Sequence, residues 1–284
     1  MPLSNQDYQL IDFGEGRKLE LVCGVLLDRP SPAADNVRRN DPGRWREAQL
    51  KFDLQASKQW RKLDEIPAPW LLPVGKARLL LRPTPFGHIG VFPEQLDNWA
   101  WFESLPVPAG EVKRCLNLFA YTGASSLVLA SMGWQVTHVD ASKPTLLWAR
   151  ENAQASGLAG APIRWIQEDA LRFVDREVRR GNRYDLVLMD PPSYGHGPKG
   201  ERWSIEEGMV ALLQSVFEVL ADQPVGVLWT GHTETEVVLP MLKQVEGIAK
   251  SLGLLTGKME RATLKNVAGR SLDFGYRVRW LPRD

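Results

Sequence analysis

Four apolar segments of this chain each stop on acidic or small polar residues, the types that bind ligands at strand ends. LNLFAYTGAS runs into Tyr121, Thr122 and Gly123; WQVTHVD stops on Asp140; IRWIQEDA ends through Glu168 and Asp169 to Ala170; YDLVLMD stops on Asp190, followed by Pro191 and Pro192. A glycine at the entrance to a helix lets a ligand approach the backbone amides of the helix N-terminus. Asp140 stands seventeen residues after Gly123, about where a carboxylate must be to accept hydrogen bonds from both hydroxyls of a ribose. An acceptor at Asp169 suits an adenine amino group. Taken singly, an aspartate at a strand end is also a common helix N-cap, and the chain lacks G-x-G-x-x-G. Taken together, the four terminations fall on one edge of one sheet if the strands are parallel, and that edge is where open α/β sheets bind ligands.

The elements that position these residues alternate. From about residue 111, near-continuous apolar strands are separated by helices over 125–133, 144–157, 170–181, 206–221 and 235–253. That succession predicts an α/β fold whose mostly parallel sheet is covered by helices on both faces. Residues 1–105 read differently, as a small α+β module. YQLIDFG and RKLELVCGVLLDRP read as two strands, RWREAQLKFDLQASKQWRKL as an amphipathic helix, WLLPVG as a loop, and ARLLLRPTPFGHIGVF as one or two more strands. The domain boundary is therefore placed between 1–105 and 106–284.

The motifs resemble class I S-adenosylmethionine-dependent methyltransferases, and more closely the branch similar to bacterial large-subunit ribosomal RNA methyltransferases. LNLFAYTGASSL is similar to that branch's first motif, VDASKPTLLWARENAQASGL to its second, and EDA with DLVLMDPPSYG to its third and fourth. HIGVFPEQLDNW resembles the segment before the domain, with Glu94 and Leu96 replacing the family's Asp and Arg. The resemblance implies a Rossmann-like, seven-stranded sheet and S-adenosyl-L-methionine as cofactor. It also implies that Asp140 holds the ribose, Asp169 the adenine amino group, Ala170 the ring through its backbone, and the Tyr121–Gly123 turn the methionine end. Phe119, Ala141, Ser142 and Asp190 complete the expected cofactor set, although Phe119 also fits a plain core position.

Methyl transfer from a sulfonium is an in-line displacement, so fixing the acceptor about 3 Å from the methyl group is the main task. Asp190, Pro191, Pro192 and Tyr194 are the catalytic candidates: a carboxylate, rigid carbonyls and an aromatic ring to stack on a base. Ser193 stands where the amine-methylating pattern D-P-P-aromatic has its ring. Carbon-5 methylation of cytosine needs a cysteine nucleophile, and neither Cys23 nor Cys115 falls at this edge, so nitrogen is favoured. His232, after the fifth strand, is a candidate for substrate contact. Lys199, Arg202 and Trp203, in a glycine-rich segment long for a strand-to-helix connection, are candidates to close over a substrate phosphate and base. His138 reads as a core histidine.

Composition narrows the class. A hydrophobic content of 44% and two cysteines fit a core that folds without disulfides in a reducing compartment. No His, Cys and carboxylate spacing suggests a metal, and no apolar run is long enough to cross a bilayer, so the expectation is a cytoplasmic protein. A net charge of +1 gives no global pull toward nucleic acid. Arg38, Arg39, Arg44 and Arg46, or Lys58, Arg61 and Lys62, can form local patches. The favoured acceptor is ribosomal RNA, with the N-terminal module helping to bind it. A protein or small-molecule acceptor, and a non-catalytic cofactor-binding scaffold, are the alternatives, and the sequence leaves the oligomeric state open.

Overall fold

The computed structural model describes residues 7–53, 59–105, 111–255 and 259–282, and Lys58 of the second basic cluster lies outside them. The chain divides into two compact units, Met1–Trp101 with Ala262–Phe274, and Phe102–Arg261 with Gly275–Asp284.

The first unit contains a sheet of β1 (Tyr8–Gly14), β2 (Arg17–Val22), β3 (Val25–Pro30), β4 (Leu50–Asp53) and β5 (Gln59–Lys62), paired in chain order. β1 to β3 form an antiparallel meander, β3 and β4 pair in parallel, and β5 returns antiparallel. Glu15-Gly16 and Cys23-Gly24 make the two hairpin turns with all four φ angles positive, the geometry that matches the twist of the flanking strands. The second turn divides what reads in sequence as one long strand.

Two expectations fail here. Among the described residues of 44–63 there is no α-helix where one was expected: Arg44–Glu47 makes one 3-10 turn, and the chain then enters β4. Gln49 decides the matter, because its backbone N–H donates to the Leu26 carbonyl and its side-chain oxygen accepts from Leu26 N–H. That ties the segment to β3, so Leu50 and Phe52 are buried with a period of two. WLLPVG forms β6 (Leu71–Val74), which pairs with β7 (Ala77–Leu80) as a separate two-stranded ribbon. Pro73 is tolerated because such a ribbon is all edge.

Glu20 is the most buried ionic group of this unit. Its carboxylate accepts from Tyr8 Oη (2.8 Å), pairs with Lys18 Nζ (3.1 Å) and forms a two-pronged pair with Arg29.

After α1 (Leu96–Glu103), the second unit alternates β8 (Arg114–Leu118), α2 (Ala124–Ser131), β9 (Gln135–Asp140), α3 (Lys143–Ala155), β10 (Ile163–Gln167), α4 (Ala170–Arg179) and β11 (Leu186–Met189). A hairpin of β12 (Tyr194–His196) and β13 (Arg202–Ser204) follows, then α5 (Ile205–Glu218), β14 (Gly226–Gly231), α6 (Thr235–Ser251), β15 (Leu254–Leu255), β16 (Glu260–Lys265) and β17 (Ser271–Pro282), of which most of β16 and the first four residues of β17 belong to the first unit. The sheet order is β10-β9-β8-β11-β14-β17-β15, with β16 also on β17. The first five strands are parallel and β17 is antiparallel to β14. This is the expected Rossmann-like α/β sheet, with the two-residue β15 making an eighth strand among the described residues. β11 and β14 are buried along their whole length, as strands covered on both faces must be. Strand order reverses beside β8, which lies between β9 and β11, and this switch opens a crevice at the carboxyl ends.

Candidate functional site

β8 hands the chain to a sharply bent turn. Phe119, Tyr121 and Gly123 have φ of +54°, +50° and +86°, a conformation costing roughly 1–2 kcal/mol at each non-glycine position. Neighbouring groups hold it in place. Ala120 N–H donates to the Val139 carbonyl (3.1 Å), Asn152 Nδ2 donates to the buried Thr122 carbonyl (2.9 Å), and Tyr121 N–H donates to Asp140 Oδ2 (2.8 Å). A Cβ at Gly123 would stand 3.1 Å from that of Ala149, so close packing against α3 adds to the demand for glycine.

The Asp140 carboxylate is organised by neutral donors. Besides Tyr121, Ser142 N–H (2.8 Å) and the Thr145 hydroxyl (3.0 Å) donate to Oδ1, so three of about four acceptor positions are in use and one remains on Oδ2. Burial raises its pKa, while the bonds from Ser142, Tyr121 and Thr145 pull it down; burial prevails. Ser142 caps α3 by accepting from Thr145 N–H, and Ala141 offers its carbonyl to Gln167 Nε2 at 3.5 Å. Asp169 caps α4 by accepting from Arg172 N–H with Oδ1 (3.0 Å). Its second oxygen accepts no hydrogen bond among the described residues, and Ala170 is the buried first residue of that helix. This donor and acceptor set fits a ribose with an attached amino-bearing base.

At the end of β11, Asp190 Oδ1 accepts from the Thr230 hydroxyl of β14 (2.8 Å). Pro191 is buried and Pro192 exposed. Ser193 Oγ lies 3.3 Å from Thr233 Oγ1, and Tyr194, with 73% exposure, opens the hairpin. His232 is exposed directly after β14.

The glycine-rich segment differs from the expected loop, because β12 and β13 pair antiparallel and the turn is closed by Gly197 N–H to the Glu201 carbonyl (2.8 Å). Lys199 and Arg202 are exposed on this hairpin, and Glu201 pairs with Arg172 of α4. Trp203 departs from expectation. Rather than a free ring for stacking on a base, it is only 7% exposed and sits 5.0 Å from the Phe119 ring. It donates Nε1–H to the Pro192 carbonyl (2.7 Å), and a Cβ at Gly208 would meet its ring at 2.7 Å. Trp203 thus anchors the hairpin and takes up the carbonyl of Pro192.

Sequence reasoning missed the second layer. Asn117 Nδ2 donates to Ser126 Oγ (2.9 Å), which lies 3.0 Å from His138 Nδ1, a buried polar chain below the Phe119–Gly123 turn. Burial pushes His138 down to about 3, so it is neutral at physiological pH. Thr230 and Tyr276 were also missed. Polar Thr230 inside the apolar β14 was a signal, while Tyr276 on the antiparallel β17 gave none. Among the described residues, no group of three or more His, Cys, Asp or Glu is placed to hold a metal ion, and no helix is long and apolar enough to cross a membrane.

Residues 97–204 match the family described as "Conserved hypothetical protein 95". The chain is 36% identical to a crystallographically determined SAM-dependent methyltransferase from Agrobacterium tumefaciens, with a TM-score of 0.90 over 98% of this chain and 91% of that one. A putative SAM-dependent methyltransferase from Streptococcus mutans shares the fold at 15% identity, with a TM-score of 0.73 over 97% of this chain and 75% of that one. A ribosomal RNA large subunit methyltransferase K/L from a Shewanella species is 30% identical over 170 residues, 59% of this chain and 23% of that protein. The chain spans less than a quarter of the length of such relatives.

Proposed function

The chain belongs to the S-adenosylmethionine-dependent methyltransferases, and on that premise we propose that it methylates a nitrogen atom of a nucleotide in ribosomal RNA. The observation that carries the choice of nitrogen is the Asp190-Pro191-Pro192-Ser193 corner, which brings a carboxylate and no thiol to the crevice. The chain has two cysteines. Cys115 is fully buried at the start of β8, the opposite edge of the sheet, and Cys23 belongs to the first unit, where burial pushes its thiol up to about 11. Without a thiolate there is no covalent addition to a pyrimidine ring. The choice of RNA rests on the named relatives, and we assign residues 1–105 a part in binding it.

When bound, the cofactor supplies a methyl group on a sulfonium. The chain's own residues do the rest. Asp140 gives its remaining acceptor position to the ribose, Asp169 its second oxygen to the adenine amino group, and the Tyr121–Gly123 turn its backbone to the methionine end. Asp190, oriented by Thr230, accepts a hydrogen bond from the N–H of the acceptor and so fixes that nitrogen on the transfer axis. The rigid Pro191-Pro192 backbone keeps Ser193, Tyr194 and Asp190 in one geometry. Tyr194, exposed at the base of the hairpin, stacks on the target base, and Lys199, Arg202 and His232 contact the backbone around it.

Incubating the protein with methyl-labelled S-adenosylmethionine and, in parallel, ribosomal RNA, protein extract and metabolites tests the acceptor class. Label is expected in the RNA. Label confined to protein or metabolites would overturn the RNA assignment.

A further inference from the structure

Tyr276 is 1% exposed, and its Oη is buried with no hydrogen-bond partner among the described residues. A buried hydroxyl left unmatched is costly and calls for an explanation. Its ring is well accommodated, standing edge-on to Trp229 at 5.4 Å in a cluster with Val278 and Trp280. Its tip, however, is brought to the carboxyl end of β14 by two close approaches. A Cβ at Gly231 would stand 2.6 Å from Tyr276 Oη, and one at Gly275, where φ is +99°, would stand 2.1 Å from the Gly231 carbonyl oxygen. Both neighbouring positions are therefore glycine, which lets a phenol reach the base of the Asp190 corner. The charge of Asp190 is felt there: burial first and Asp190 second hold the phenol well above its ordinary pKa, with the Thr233 hydroxyl, near enough to interact but not in a geometry that satisfies Oη, acting in the other direction. Tyr276 is thus a neutral hydroxyl at every working pH. Thr233 is meanwhile engaged with Ser193 through a long contact of 3.3 Å.

We propose that Tyr276 is a positioning residue of the methyl-transfer site, acting through Thr233: its spare hydroxyl takes over Thr233 when the incoming acceptor engages Ser193. The proposal rests on reading the Asp190 corner as the acceptor site. The exchange keeps every hydroxyl satisfied in the loaded enzyme, and the unmatched Oη is the cost of holding that partner ready in the unloaded one.

The test is Tyr276→Phe, which keeps the ring and removes only Oη. The melting temperature is expected to stay or rise, because an unmatched polar group is lost. Affinity for S-adenosylhomocysteine is expected to be unchanged, and kcat on RNA to fall at least tenfold. Thr233→Val is expected to give a similar fall, and the double variant no further one, since both lie on one relay. Unchanged kcat in Tyr276→Phe or in Thr233→Val, or fully additive losses, would overturn the proposal. Should Tyr276→Phe not fold, the Thr233→Val result decides. Asp190→Asn in the same assay separates the two levels. If it also turns over normally, the corner itself is misassigned; if it is inactive while Tyr276→Phe is unimpaired, only the role of Tyr276 falls.

Discussion

Glu20 in the first unit is a fully buried carboxylate and Asp140 in the second a half-buried one, and they are held by partners of opposite kind. Glu20 is surrounded by Arg29, Lys18 and the Tyr8 hydroxyl. Burial alone would raise its pKa, but the charges of Arg29 and then Lys18 overcome it and bring the carboxyl to about 2. Asp140 has only neutral donors, burial raises its pKa above the ordinary aspartate value, and one acceptor position remains open. The first arrangement is complete in itself and serves the fold. The second leaves an acceptor position that a ligand can take. Burial of a charge therefore does not by itself mark a site in this molecule; what sets Asp140 apart from Glu20 is its neutral donors and the acceptor position they leave open.

The largest effect is expected at Glu20. Glu20→Ala leaves Lys18 and Arg29 buried without their counter-charge, and such a loss costs about 3–5 kcal/mol. A fall of that size in a denaturant titration is expected; a change under about 1 kcal/mol would mean the cluster is not the structural element described.

At Asp140 the expected damage falls on the ligand instead. Asp140→Ala should abolish the thermal stabilisation given by S-adenosylmethionine, corresponding to at least about a hundredfold weaker binding, or roughly 2.7 kcal/mol. An unchanged ligand-induced shift in differential scanning fluorimetry would remove Asp140 from the pocket.

Acid sharpens the contrast further. His138 is neutral when folded, with its pKa pushed from 6.5 down to about 3, so only the unfolded chain takes up its proton in between. Its stabilising contribution is whole above about pH 6.5 and is lost progressively as pH falls toward 3, at about 1.4 kcal/mol per pH unit. The contribution of Glu20 is whole above 4.5 and is lost only as pH falls toward about 2. The raised pKa of Asp140 acts in the opposite sense, so the wild-type slope alone is not diagnostic and the difference from a variant is. His138→Asn is expected to flatten the stability–pH curve between pH 6 and 4 by one proton; parallel curves would show that His138 titrates normally.

The parts of this organisation that were legible in the sequence share a physical cause. Strands buried on both faces are apolar until they leave the sheet, so Asp140, Asp169 and Asp190 stand out at the ends of β9, β10 and β11. The segment 44–63 has a helical composition, and the pair of bonds between Gln49 and Leu26 ties it to β3 instead. The hairpin after Asp190 was misread as a loop because what orders it is the burial of Trp203 against Phe119, a contact between residues 84 positions apart. Tyr276 was invisible because antiparallel β17 reaches the site from the far end of the chain, and only the glycines at 231 and 275 hint at how closely it approaches.

The most direct test is the identity of the methylated nucleoside. Ribosomal RNA labelled by the purified protein and digested to nucleosides is expected, on the proposed reading of the Asp190 corner, to carry the methyl group on a base nitrogen. Recovery of the label as 5-methylcytidine or another carbon-methylated base would contradict the assignment of that corner.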